Sequence, residues 1–275
     1  MSITAALQRQ VLLIRAGLLS LQVLSTLLVP PYDTSASEAY KTSGLLLDFI
    51  PTLGHGNWDA IYFNYLAKNG YDYERFGAFF PAYPVIIGLI ASAIHFPLQL
   101  LISYDACIIL CSVLLNNFLF YLNSLLVFKL GQLFGLGETR AYRAALLYAL
   151  NPASVFMSVG YTESLFSFLV LLGFILREAD SQWYFLCFSA ATGVRSNGVS
   201  LVFFILYDHI TCMIKNNQVL VVNLLCMSVQ AALCVAPFYL FQNHLFEIYC
   251  NSELQNSEFY LRYLFFLARW ILTVQ

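Results

Sequence analysis

The sequence has few charged residues for its length. Of its 275 residues, 60% are hydrophobic and 10% are charged, whereas soluble domains usually carry about 25% charged residues. The net charge of −2 provides no concentrated basic face, so we expect no nucleic-acid partner. There is no P-loop and no Gly-rich dinucleotide motif, which disfavours a soluble nucleotide-sugar site. The composition predicts a membrane protein with room for roughly seven spans of about 20 residues each.

Metal and redox motifs are also missing. None of the seven cysteines belongs to a C-x-x-C pair, and all are scattered through apolar runs. We interpret them as small apolar residues packed in a membrane, and we expect no metal site and no cofactor. No Asn-x-Ser/Thr sequence marks a glycosylated loop.

The first apolar segment, Val11 to Val29, follows Arg9 and contains Arg15. This pattern is typical of an uncleaved signal anchor with a cytoplasmic N-terminus. Residues 30–80 then stay outside the hydrocarbon core, and we predict that they form a large first lumenal loop. A loop of this length suggests a functional role.

A helical face is recognisable within this loop. Its apolar residues are Trp58, Ile61, Tyr62, Tyr65 and Leu66. Asn57 is placed to cap the helix, and Gly70 is placed to end it. We therefore predict a short amphipathic helix on the membrane surface.

Basic residues in short loops accumulate on the cytoplasmic side of a membrane. Four groups mark that side here, namely Arg9 with Arg15, Lys129 with Arg140 and Arg143, Arg177, and Lys215. If all four are cytoplasmic, the turns at 151–163 and 195–198 join the first loop in the lumen. Strict alternation would instead place Lys129 in the lumen. Either the Tyr83 to Ile102 segment is re-entrant, or the charge rule fails at one loop.

Asp59 is the first candidate for chemistry, because it follows Trp58 in the predicted surface helix. Partial desolvation raises the pKa of a carboxyl group toward the range that suits a general base. The alternative is that Asp59 only favours the positive end of the helix dipole after Asn57. Spacing leaves both interpretations open.

Two further polar clusters interrupt the apolar runs. The first contains Asn151, Tyr161 and Glu163, and a turn followed by a polar helix start would also explain it. The second, residues 192–198, places Arg195 between two apolar runs. A guanidinium at that position is a candidate ligand for a lipid phosphate, or else a snorkelling anchor.

Five motifs together are more specific than any one of them. They are His-Gly-Asn-Trp-Asp-Ala at 55–60, Ala-Phe-Phe-Pro-Ala-Tyr-Pro at 78–84, Asn-Pro-Ala-Ser-Val-Phe-Met at 151–157, Gly-Tyr-Thr-Glu-Ser-Leu-Phe at 160–166 and Ala-Thr-Gly-Val-Arg-Ser-Asn-Gly at 191–198. In this order they resemble the phosphatidylinositol glycan class V family, GPI mannosyltransferase 2. The resemblance implies an all-α, polytopic transmembrane bundle of the GT-C type in the endoplasmic reticulum membrane.

The resemblance also implies an inverting reaction and its partners. The family transfers the second mannose, in α-1,6 linkage, from dolichyl phosphate mannose to a GPI-anchor precursor. The implied partners are these two lipids and the membrane lipid around them, and an accessory membrane subunit is a further candidate partner. Asp59 then matches the catalytic base, and Arg195 is placed to stabilise the leaving phosphate in place of a metal. The residues expected in the substrate cavity are Asn57, Trp58, Asn151, Tyr161, Glu163, Arg195 and Asn197.

The C-terminal run departs from the family pattern. We treat residues 1–275 as a single transmembrane domain and expect a divergent, truncated C-terminus at 251–275. A non-catalytic membrane subunit and a lipid transporter or scramblase are the alternatives. A carrier should place its polar groups near the bilayer midplane, whereas a transferase should gather them at one interface.

Overall fold

The computed structural model describes residues 2–29, 45–53, 58–216 and 221–250. These residues form α-helices and short 3₁₀ turns without any strand, which confirms the predicted all-α class. The α-helices are α1 Ile3–Leu28, α2 Asp59–Asn69, α3 Ala82–Leu98, α4 Tyr104–Leu133, α5 Glu138–Ala149, α6 Glu163–Glu178, α7 Tyr184–Val194, α8 Val202–Asn216 and α9 Val221–Tyr249. The 3₁₀ turns are Ile50–Leu53, Glu74–Ala78, Pro152–Val155 and Ser196–Leu201.

Within the described ranges, four helical segments are long and apolar enough to cross a membrane. They are Ile3–Leu28, Tyr104–Leu133, Ser196–Lys215 and Val221–Tyr249. This supports a multi-pass protein, with fewer full-length spans in these ranges than the seven that length alone suggested. The apolar runs in α3, α6 and α7 end after 17, 16 and 11 residues. At 1.5 Å per residue, α7 is about 16 Å long, roughly half the hydrocarbon thickness.

Helix α3 lies antiparallel against only the first half of α4. Near the turn between them, the hydroxyl groups of Ser92 and Tyr104 are 2.9 Å apart. At the other end of α3, Asn116 Nδ2 donates to the hydroxyl oxygen of Tyr83 at 2.9 Å. The 17 residues of α3 therefore run beside only about half of α4. This arrangement favours the re-entrant alternative for the Tyr83 to Ile102 segment.

The antiparallel pair α6 and α7 has two ends, and the one that begins at Glu163 is level with the middle of α4, where Asn116 holds the Tyr161 carbonyl. Glu163, where α6 begins, pairs with Arg195, which directly follows α7. Arg177 lies about 21 Å farther along α6, where it pairs with Asp208 of α8. We call the Glu163–Arg195 side the site end and the Arg177–Asp208 side the far end. The C-terminal part of α9 also reaches the site end, where Tyr249 donates a hydrogen bond to the Tyr71 carbonyl at 2.7 Å.

The predicted helix in the first loop is present, and the side that it buries in the protein includes only Leu66 of the predicted apolar face. Gly70 ends α2 with φ 78°, and its N–H donates to the Leu66 carbonyl, as the glycine predicted. The buried residues are Ala60, Phe63, Asn64 and Leu66, whereas Trp58 is 63% exposed. The contact of α2 with α3 and α4 selects this orientation. That the apolar face of α2 lies on the membrane surface stays a prediction.

Arg15 does not mark a membrane boundary, contrary to its use in the topology prediction. It lies about 18 Å along α1 and is only 4% exposed. Its guanidinium contacts Asn117 of α4 and the Ser154 carbonyl. Arg15 therefore belongs to the interior of the bundle, and Arg9 remains as the exposed basic residue of this helix.

Candidate active site

Asp59 is the first residue of α2, and its backbone N–H donates to the Tyr161 hydroxyl oxygen at 3.3 Å. This bond replaces a side-chain cap at the helix start. Trp58, directly before it, adopts φ 57°, which is uncommon for a residue with a side chain. Gly160 lets the segment that carries Tyr161 approach α2 and α4, because a Cβ at position 160 would lie 3.3 Å from Ala60 Cβ and 3.2 Å from Ser112 Oγ.

The turn that carries Tyr161 and Glu163 is held by amide side chains of α4. Buried Asn116 donates to the Tyr161 carbonyl at 2.9 Å and also to the Val159 carbonyl. Asn123, also buried, donates to the Ser164 carbonyl at 2.9 Å. Sequence reasoning missed these residues, although amides seven positions apart lie on one face of an apolar helix and are a usable signal.

Glu163 and Arg195 form an ion pair with an Nη1 to Oε1 distance of 2.5 Å. The side chains are 29% and 37% exposed, respectively, so the pair is accessible from the site. The second carboxylate oxygen of Glu163 is buried and has no hydrogen-bond partner in the described part of the chain. One oxygen of the Glu163 carboxylate thus has no donor among the described residues, and the neighbouring Arg195 guanidinium is accessible to an anion.

The ion pair and Asp59 influence each other electrostatically. Loss of water around Asp59 raises the pKa of its carboxyl group, the negative charge of Glu163 raises it further, and Arg195 opposes both. Burial, together with the negative charge of Asp59, raises the pKa of Tyr161 to about 12. Tyr161 therefore stays a neutral phenol, and the shift in the pKa of Asp59 is in the direction that increases its affinity for a proton.

The remaining predicted site residues differ in their placement. Trp58 lines a cavity of about 520 Å³ between α1 and residues 152–161, which Tyr161 also lines. Asn151 is exposed, and its Oδ1 accepts the Ala153 N–H at 2.9 Å, as the turn interpretation of that motif requires. Asn197 is exposed beside Arg195, and Asn57 lies outside the described residues.

The structure therefore gathers four of the predicted side chains, Asp59, Tyr161, Glu163 and Arg195, with Trp58 beside them. In the described ranges, no group of three or more His, Cys, Asp or Glu side chains is arranged to hold a metal ion.

A family model described as Mannosyltransferase (PIG-V) matches residues 5–273. The chain belongs to the PIG-V mannosyltransferase family. The match confirms the resemblance inferred from the five motifs. It extends beyond the described part of the structure into the C-terminal residues.

Curated relatives in the PIG-V family come from animals and fungi. GPI alpha-1,6-mannosyltransferase 2 of Cricetulus griseus is 36% identical over 84% of this chain and 49% of its own length. The Rattus norvegicus protein of the same name is 34% identical over the same shares. GPI mannosyltransferase 2 of Cryptococcus neoformans is 31% identical over 87% of this chain and 56% of its own length. The chain thus spans about half the length of these relatives. No solved structure matches it.

Proposed function

We propose that this chain transfers the second mannose, in α-1,6 linkage, from dolichyl phosphate mannose to a GPI-anchor precursor in the lumen of the endoplasmic reticulum. The observation that carries the proposal is the hydrogen bond from the Asp59 N–H to the Tyr161 hydroxyl, which brings the start of α2 to the turn that carries Glu163 and its ion pair with Arg195. The names of the Cricetulus griseus and Rattus norvegicus relatives, which specify an α-1,6-mannosyltransferase, support the choice of reaction.

Asp59 is the proposed general base. An acceptor hydroxyl must lose its proton as it attacks the anomeric carbon, and one carboxylate is sufficient for a single displacement that inverts a β-linked donor. The raised pKa of Asp59 increases its proton affinity, and the adjacent Glu163 charge contributes to that rise. The neutral Tyr161 hydroxyl accepts the backbone N–H of Asp59 and so holds the start of α2, the helix that carries the carboxylate.

Arg195 is the proposed ligand of the leaving phosphate. Dolichyl phosphate departs as a stable anion that needs no proton, and a guanidinium stabilises such a group through charge-assisted hydrogen bonds. Glu163 holds Arg195 from one side and balances its charge. The Arg195 side chain is 37% exposed, so its guanidinium can bind the phosphate from its present position on the protein surface.

The cavity that Trp58 lines is the proposed place for part of a lipid substrate. Apolar residues of α1 and of the 152–161 segment form most of its wall. Leu21 at its edge is 64% exposed, on a helix long enough to span the membrane. A lipid chain could enter there from the bilayer while its head group reaches Asp59. The far end carries the basic residues Arg177 and Lys215, which fits a lumenal site end.

Complementation of cells that lack the second GPI mannose tests the proposal. The parent chain should restore surface GPI proteins, and Asp59→Asn should abolish the rescue. Asp105→Asn is a matched control, because Asp105 also lies near α2 but pairs with Lys68. Equal rescue by Asp59→Asn and the parent would exclude Asp59 as the base. A parent chain that reaches the membrane but restores nothing would instead favour a non-catalytic subunit.

A further inference from the structure

The Arg15 guanidinium is buried in the bundle interior without a carboxylate partner in the described part of the chain. Its Nε and Nη2 atoms donate to Asn117 Oδ1 at 3.1 and 2.8 Å, and Nη1 donates to the Ser154 carbonyl at 3.1 Å. Nη2 also donates to Ser158 Oγ. The Cζ atom lies 4.0 Å from the centroid of the Phe120 ring.

These contacts connect three separate parts of the fold. Arg15 belongs to α1, Asn117 belongs to α4, and Ser154 and Ser158 belong to the segment between α5 and α6. A buried charge is costly unless its hydrogen bonds are satisfied, so this arrangement is favourable only while all three parts stay in register. The planar fork of the guanidinium supports several divergent contacts, which a lysine ammonium cannot reproduce.

We propose that Arg15 is a positioning residue that sets the conformation of the 152–161 segment and, through it, the placement of Tyr161 and Glu163 opposite Asp59. The inference rests on the proposed function. Arg15 does not bind substrate phosphate, because it is 4% exposed and at least four of its five N–H groups already have acceptors.

Hydrogen exchange of the 275-residue chain in detergent tests the structural half of this proposal without relying on activity. In Arg15→Lys, amides of residues 152–161 should exchange about 10- to 100-fold faster, because charge-assisted hydrogen bonds that close the segment are lost. Residues 196–201, which do not contact Arg15, should exchange as in the parent. Arg9→Lys is the matched control, since Arg9 is exposed on the same helix.

The increase in the exchange rate of residues 152–161 should depend on how many contacts of Arg15 are removed. Ser158→Ala deletes one acceptor and should accelerate exchange in the same segment by a smaller factor, which provides a second test if Arg15→Lys folds poorly. Unchanged exchange at 152–161 in both variants would overturn the proposal. Equal acceleration at 196–201 would also overturn it, because Arg15 would then act on overall stability.

Kinetics of mannosyl transfer test the functional half. Arg15→Lys should lower kcat about 10-fold or more while leaving the donor KM within about twofold, because misplacement of catalytic groups affects the transition state most. The acid limb of the rate profile should also move to lower pH as Glu163 moves away from Asp59. A lower amount of folded enzyme would not move that limb, and an unmoved limb would contradict positioning. If the parent shows no transfer, the proposed function fails, while the exchange experiment still decides the role of Arg15.

Discussion

Gly198→Ala is expected to disturb the segment that presents Arg195. A Cβ at position 198 would lie 2.6 Å from both the Cα and the backbone N of Thr192, and these are backbone atoms that cannot rotate away. To reach an ordinary contact of 3.4 Å, the two segments must separate by about 0.8 Å. Arg195 lies between the two contacting positions, so its 2.5 Å bond to Glu163 should not survive unchanged.

Overpacking of this kind costs roughly 1–3 kcal/mol of folding stability. We expect the thermal midpoint of the detergent-solubilised chain to fall by roughly 2–10 °C and the transfer rate to fall on the order of 10- to 100-fold. Gly193→Ala is the matched control, because its Cβ would meet Ala82 and Pro237 at 3.6 and 3.7 Å, ordinary contact distances. Alanine there should be neutral or slightly stabilising within α7. Equal midpoints and rates for the two variants would refute the reasoning.

Three other variants, together with Glu178→Gln as a control, probe the charges and hydrogen bonds of the two ends. Glu163→Gln removes a negative charge that raises the pKa of Asp59 and leaves Arg195 free to lower that pKa. The acid limb of the pH–rate profile for mannosyl transfer should therefore move to lower pH. Glu178→Gln should leave this limb in place. Tyr161→Phe removes the acceptor of the Asp59 N–H, and steady-state assays should show a roughly 2- to 10-fold lower rate. Arg177→Gln breaks the far-end pair and should cost about 1–3 kcal/mol in thermal unfolding, with unchanged kcat per folded molecule.

The helical class could be predicted because apolar runs and their breakers are local features. The stop of α2 at Gly70 followed from the preference of glycine for positive φ. Its buried face could not be predicted, because Phe63 and Trp58 are both suitable for an apolar face, and only the position of α3 and α4 decides between them. The role of Arg15 was hidden for a similar reason, since its acceptors lie more than a hundred residues away.

The candidate site was predicted unevenly. Arg195 could be selected as an ionisable group between two apolar runs, where an unneeded charge is costly. The site roles of Asp59 and Glu163 depended on the resemblance to the family. The grouping of these three residues depended on the antiparallel order of α6 and α7, which follows once the turn between them is short. Asn151 shows the limit of this method, because its carboxamide accepts a local backbone N–H and acts as a turn cap. The sequence alone did not distinguish a turn-capping role of Asn151 from a role in the substrate cavity.

The short length of α6 and α7 connects the fold to the proposed chemistry. A helix that ends inside an apolar bundle leaves backbone groups that water cannot satisfy, so neighbouring side chains must supply the missing hydrogen bonds. Arg15 and Asn116 donate to carbonyl groups of the segment between α5 and α6, and Asn123 donates to the Ser164 carbonyl in the first turn of α6. Each of these side chains belongs to a longer helix. These contacts leave Glu163 and Arg195 exposed to the site at the ends of α6 and α7. The polar residues within the long helices thus stabilise the non-helical segment between α5 and α6, beside which the candidate active site is formed.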